Sequence, residues 1–326
     1  MPLSGTLVEY RPPIAIPSLP SRQGCNCRSF NIDKGVNLAS RKSVALNVSR
    51  NLDIATNSVS GNSDASVGFD VPFPGDYSEL LEQAKGATEL ALKDNKQLMS
   101  WSQEIEFPTA GLESVPGDGE GGIEMTGSMQ LIREFCDLLI SPEKATRTRI
   151  FFPEANEVKF ARNLAFGGAS FKLDYLTKPS LFEDFGFVSK VKMADRVKQG
   201  DELFLVAYPY FNVNEMLVVE ELYNEAVANT IRKLIIFNGE LDRIRSGYYP
   251  SFFYPKLAAL SKTLFPKMET VYYIHNFKGF KGGTLFRCYP GNWKVLRKVR
   301  GKYVCLHEQE EMPSLKEVAL DILPSA

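Results

Sequence analysis

Four short apolar runs constrain this chain most: "RIFF" at 149–152, "LFLVAYPYF" at 203–211, "KLIIF" at 233–237 and "TVYYIHNF" at 270–277. They lack the polar alternation of a strand with one wet face, so each reads as a strand covered on both sides. Three of them are followed by amphipathic stretches, "NEVKFARNLA", "NEMLVVEELYNEAV" and "FFYPKLAALSKTL". In the second, Met216, Val219, Tyr223 and Ala226 recur at helical spacing and mark one buried side. Buried strands joined by such helices predict a parallel sheet with right-handed crossovers. Towards the C-terminus, "TLFRCYP", "WKVLRKV" and "KYVCLHE" are β-rich runs with short links, which predict an antiparallel meander. Ser314 with Glu317 forms the capping box of a closing helix, whose apolar stripe is Leu315, Val318 and Ile322. The expected fold class is α/β: a mixed, mainly parallel sheet with helices on both faces and a C-terminal antiparallel extension.

Ahead of these runs, Asp76 and Glu79 cap a helix whose inward positions are Leu81, Ala84, Thr88 and Leu92. "EIEFP" is a short strand candidate. "GLESVPGDGEGG" carries acids and no lysine, so it reads as a flexible connection rather than a phosphate cradle. A second helix follows, with Ile132, Phe135, Cys136 and Leu139 on one side. The first fifty residues hold seven bases against two acids, are serine-rich and have no secretory-type apolar core, the pattern of an organelle transit peptide. The expected organisation is a transit peptide over 1–55, a polar linker over 56–76 and one α/β domain over 77–326.

Beyond residue 50 the chain carries 31 bases against 37 acids, the wrong balance for a protein that neutralises many phosphates, so no nucleic-acid partner is expected. No stretch approaches the roughly 18 apolar residues of a membrane span. Of five cysteines, Cys25 and Cys27 are too close together for the usual metal spacing, and Cys136, Cys288 and Cys305 read as buried free thiols. With two histidines in the chain, no metal site or cofactor is expected.

In an open parallel sheet, ligands sit beyond the carboxyl ends of the strands. The residues that collect there are Glu154, Asn212, Asn238, Glu240, Arg243 and His275, the candidates for binding a ligand or a partner. The competing reading makes Asn156 and Asn212 helix caps and pairs Asp242 with Arg243 or Arg245 to fix a loop. No nucleophile has an evident base and no nucleotide or hydrolase signature occurs, so no catalytic residue is assigned. "FKGFKGGT" precedes a strand rather than a helix and reads as a hairpin turn. Between Asn276 and Leu306 there are eight bases, no acid and several aromatics. Lys294, Arg297, Lys298 and Lys302 form the expected basic docking surface, with Lys294 and Lys298 on one strand face.

Four stretches, "RIFFPEANEVKFAR", "DELFLVAYPYFNVNEMLVVEELY", "KLIIFNGELDRIRSGYYPSFFYPKLAAL" and "MPSLKEVALDILPSA", carry a resemblance. The chain resembles, over about residues 77–326, a plant and cyanobacterial domain family of unknown function that includes the chloroplast low photosystem II accumulation proteins. The resemblance implies a non-catalytic factor of the chloroplast stroma that assists photosystem II biogenesis. Its implied partners are other photosystem II assembly factors and a thylakoid membrane insertase, with peripheral contact at the thylakoid. The alternative is a nucleotide- or phosphometabolite-binding α/β enzyme built on the six strand-end residues.

Overall fold

The computed structural model describes residues 71–98, 102–115, 121–177, 193–210 and 212–325. The expected leader, residues 56–70 of the linker, Cys25 and Cys27 lie outside the described residues.

Apolar β-branched and aromatic runs here become strands because each can bury both faces. The strands are β1 (Ser102–Glu106), β2 (Thr148–Glu154), β3 (Lys172–Thr177), β4 (Leu203–Ala207), β5 (Lys233–Phe237), β6 (Met268–Phe277), β7 (Gly283–Cys288), β8 (Trp293–Val299) and β9 (Lys302–Gln309). They form one sheet in the order β3-β2-β4-β5-β1-β6-β7-β8-β9. Pairing is parallel from β3 through β6 and antiparallel from β6 through β9. The carboxyl ends of β2, β4, β5 and β6 therefore share one edge, as the apolar runs predict.

Helices cover both faces, with α3 (Pro142–Ala145), α5 (Met193–Arg196) and α7 (Asp242–Arg245) as single turns between the longer ones. On the first, α1 (Tyr77–Leu98), α2 (Gly121–Leu139) and α4 (Ala155–Leu164) pack on Ile105, Ile150, Phe152, Leu205, Ile235 and Phe237. On the second, α6 (Glu215–Leu222), which continues as a π turn over Tyr223–Val227, and α8 (Pro255–Thr263) pack on Phe151, Phe204, Val206, Leu234 and Ile236. The expected inward positions Met216, Val219, Tyr223 and Ala226 are all buried there. A smaller cluster on β6, β7 and β8, with Tyr273, Leu285, Trp293 and Val295, is closed by Val318 and Leu323 of the C-terminal helix. Ser314 Oγ accepts from Glu317 N at 3.1 Å, making the expected cap. At α1, Asp76 Oδ1 accepts from Glu79 N at 2.9 Å while Glu79 reaches back to Gly75 N.

Local patterns miss four features. The strand β3, absent from the four apolar runs, is an edge strand, and its Lys172 and Asp174 meet Arg149 and the fully buried Asp201. The polar strand β1 sits at the centre of the sheet, between β5 and β6. The helix expected to start at Phe252 starts at Pro255, whose fixed φ suits a first helical position, and this leaves Phe252 and Phe253 exposed in the preceding turn. Cys136 and Cys288 are buried as expected, but Cys305 is exposed because β9 is an edge strand.

Candidate functional site

The strand β1 alternates with period two, so its side chains divide between the faces. Gln103 and Ile105 point to α1 and α2, while Ser102, Glu104 and Glu106 point to the second face. There they open a polar seam between the cluster under α6 and α8 and the cluster under the C-terminal helix. A fully buried carboxylate needs a cation and hydrogen bonds, and Glu104 has both. Arg245 of the short helix α7 (Asp242–Arg245) donates to it twice, at 2.9 and 2.5 Å, and Thr270 Oγ1 donates at 2.7 Å. Arg245 also reaches Asp242 at 3.3 Å, and the Tyr273 hydroxyl donates to the other Asp242 oxygen.

The chain leaves β5 through Asn238, which has φ of 49°. Its backbone N–H donates to Ile105 O at 2.7 Å, and its Oδ1 accepts from Phe107 N at 3.0 Å, lacing the end of β5 to the end of β1. A short polar side chain that bonds locally is one of the few that tolerate this left-handed conformation. Glu240, at φ of 46°, donates its backbone N–H to Glu106 Oε2 at 3.0 Å and pairs its carboxylate with Arg243 at 2.5 Å. A β-carbon added at Gly239, between them, would lie 2.9 Å from Leu241 Cδ2, so the turn has little room for a side chain.

Burial, and then the neighbouring Glu240, Glu104 and Asp242, push the Glu106 carboxyl well above the ordinary range. Burial lowers the His275 imidazole, partly opposed by Asp242, which favours the neutral form of a ring that stacks on Tyr273. The seam thus contains one arginine, two acidic side chains bonded to it and a carboxyl that favours keeping its proton.

Five of the six strand-end candidates meet here. Asn238, Glu240 and His275 line a cavity of about 40 Å³ with Glu106, Tyr210 and Ser128. Asn212, Glu240 and Arg243 line an adjoining one of about 10 Å³. The first has room for one or two water molecules. Glu154 is separate: it ends β2 and lies at the cap position of α4 without a side-chain cap bond. The expected caps also differ. Asn156 is inside α4, and Asn212 Oδ1 accepts from Asn214 N at 2.8 Å, which makes Asn214 the residue before α6. A wider cavity of about 610 Å³, lined in part by Leu92, Ile140 and Ile231, opens at the opposite, amino-end edge of the sheet.

Sequence reasoning missed Glu104, Glu106, Arg245 and Tyr273 as members of the site. The available signal was the pair of acids two positions apart in "QEIE", which must share one face of any strand.

The basic strands divide by face. Lys294, Lys298 and Tyr303 lie on the α1 side, where Lys298 meets Glu113. Arg297 points the other way and donates to Gly282 O, Lys281 O and Leu323 O, clasping the β6–β7 hairpin and the C-terminal helix. Lys302 is exposed at the start of β9. The "FKGFKGGT" stretch is the β6–β7 hairpin, as expected.

Among the described residues there is no group of three or more His, Cys, Asp or Glu that could hold a metal ion, and no helix long and apolar enough to cross a membrane. Among known families, the one described as Domain of unknown function (DUF1995) matches residues 74–320. No curated protein and no solved structure matches the chain.

Proposed function

The chain belongs to the DUF1995 domain family, and from that premise we propose that it works without catalysis, as a chloroplast assembly factor that assists photosystem II biogenesis at the thylakoid. The observation that carries this reading is how fully the strand-end polar groups are engaged with one another. Glu104, Asp242, Arg245, Thr270 and Tyr273 form one bonded network, and Asn238 and Glu240 tie β5 to β1. Groups engaged in this way hold a rigid rim. The cavity beside them, about 40 Å³, is far below the roughly 300 Å³ at which small-molecule sites begin. In this reading the rim and the basic strands present surfaces to other assembly factors and to a membrane insertase. The protein acts in the stroma with peripheral contact at the thylakoid.

Affinity capture of the full chain from stroma and from solubilised thylakoids tests the proposal. The expected result is recovery of photosystem II assembly proteins and an insertase from the thylakoid fraction. Thermal stabilisation by a nucleotide or sugar phosphate, lost in Asn238→Ala, would overturn it in favour of the small-molecule alternative.

A further inference from the structure

Two long stretches of this chain have no acid at all: residues 243–268, with five bases, and residues 276–306, with eight. The topology brings part of each to the same edge, while Lys262, Lys267, Arg287 and Lys294 lie towards the other. The first leaves β5 at its carboxyl end and builds the aromatic turn before α8; the second contains the hairpin at the carboxyl end of β6. The strand β8 runs parallel to β6, so its turn into β9, with Arg300 and Lys302, reaches this edge too. β5 and β6 are two strand steps apart, roughly 10 Å.

This edge also carries the largest exposed apolar rings in the described chain. Phe252 and Phe253 are 87% and 72% exposed, Tyr248 is 70% exposed, and Phe280 stands fully clear at the hairpin tip. The aromatic turn holds its shape through edge-to-face contacts, Tyr248 on Tyr249 at 5.1 Å and Tyr249 on Tyr254 at 5.6 Å. A shallow groove of about 270 Å³ opens beside Phe280, lined by Tyr303, Lys298 and the Glu113 that pairs with it. Exposed phenyl rings on two segments that carry bases and no acid match an apolar layer beneath a negative surface, although Glu113, Glu240 and Asp242 pair with Lys298, Arg243 and Arg245 at the same edge.

We propose that this rim seats the domain on an anionic lipid bilayer, with Phe252, Phe253 and Phe280 entering the headgroup boundary and Lys256, Arg300 and Lys302 facing the lipid charge. The inference refines the peripheral membrane contact proposed above by naming its surface, and it stands or falls separately from the assembly role. Rings at this depth contribute by buried area, and bases contribute by attraction that salt weakens.

The test is co-sedimentation of the full chain with protein-free vesicles of phosphatidylcholine alone, or with phosphatidylglycerol in a two-to-one mixture. The chain is expected to pellet with the anionic vesicles at low salt and much less with the neutral ones. Phe252→Ser with Phe253→Ser should weaken binding on the order of tenfold, and Phe280→Ser, at a fully exposed position, should weaken it without touching the core. Arg300→Glu with Lys302→Glu should cost at least about fivefold per base. Phe160→Ser, exposed on α4 away from this edge, should change nothing. The proposal is overturned if the chain ignores both vesicles, if the rim variants pellet like the original, or if only membranes that contain protein bind it. Failure here with successful capture of assembly proteins would leave the proposed function intact.

Discussion

Glu104 of β1 and Arg245 of α7, 141 positions apart, form a two-pronged ion pair at the centre of the sheet's second face. Glu104 is fully buried and Arg245 partly so, and the pair joins the strand in the middle of the sheet to the loop that carries the rim.

Removing one partner strands the other. Glu104→Ala or Arg245→Ala is expected to destabilise the domain by about 3–5 kcal/mol. The double replacement Glu104→Met with Arg245→Met should recover part of that loss, because the fully buried Glu104 is then no longer left without its cation. Urea denaturation of the three variants measures both terms, and equal loss in the double and single variants would count against the pair as the linking element.

A second expectation concerns pH. The Glu106 carboxyl has a raised folded-state pKa, caused first by burial and then by Glu240, Glu104 and Asp242. Between the ordinary glutamate value of 4.5 and the raised one, the folded state binds more protons than the unfolded state, so stability falls as pH rises. Glu106→Gln keeps an oxygen to accept from Glu240 N and removes the titration. Thermal midpoints across pH 5 to 8 should therefore fall less steeply in Glu106→Gln than in the original chain, with the variant the more stable at the upper end.

The third concerns the C-terminal helix. Arg297 binds three carbonyls, one of them Leu323 O in that helix. Charge-assisted bonds of this kind contribute about 1.5–3 kcal/mol. Arg297→Met should increase hydrogen exchange over residues 314–325, whereas Lys298→Met, on the opposite face of β8, should leave it unchanged. Equal exchange in the two variants would mean that apolar contacts of Val318 and Leu323 alone hold the helix.

Much of the fold was legible in the chain's local patterns. Unbroken apolar runs marked β2, β4, β5 and β6, and helical spacing marked the inward side of α6. The Ser314–Glu317 pair marked a helix start that the structure contains. The site was legible in part: Asn238, Glu240 and His275 were placed together because strands of one direction gather their ends on one edge. Glu154 followed the same rule, but β2 lies three places from β1 in the sheet and its end falls elsewhere. Arg297 read as one base of a surface because alternation along β8 reveals that faces differ, but not which face a helix will cover.

What the sequence determined by itself is what depends on near neighbours: which residues alternate, which cap, which turns favour the left-handed region, and hence that a parallel α/β sheet with an antiparallel tail would form. Only the tertiary structure decided that the polar strand β1 enters between β5 and β6, that Arg245 closes over Glu104, and that parts of two acid-free stretches meet at one edge. The physical reason is one of range. Burial and backbone preference act over a few residues and leave a periodic trace. A buried charge is stabilised only by the group that the finished fold brings to it, and nothing beside it in the chain records that partner.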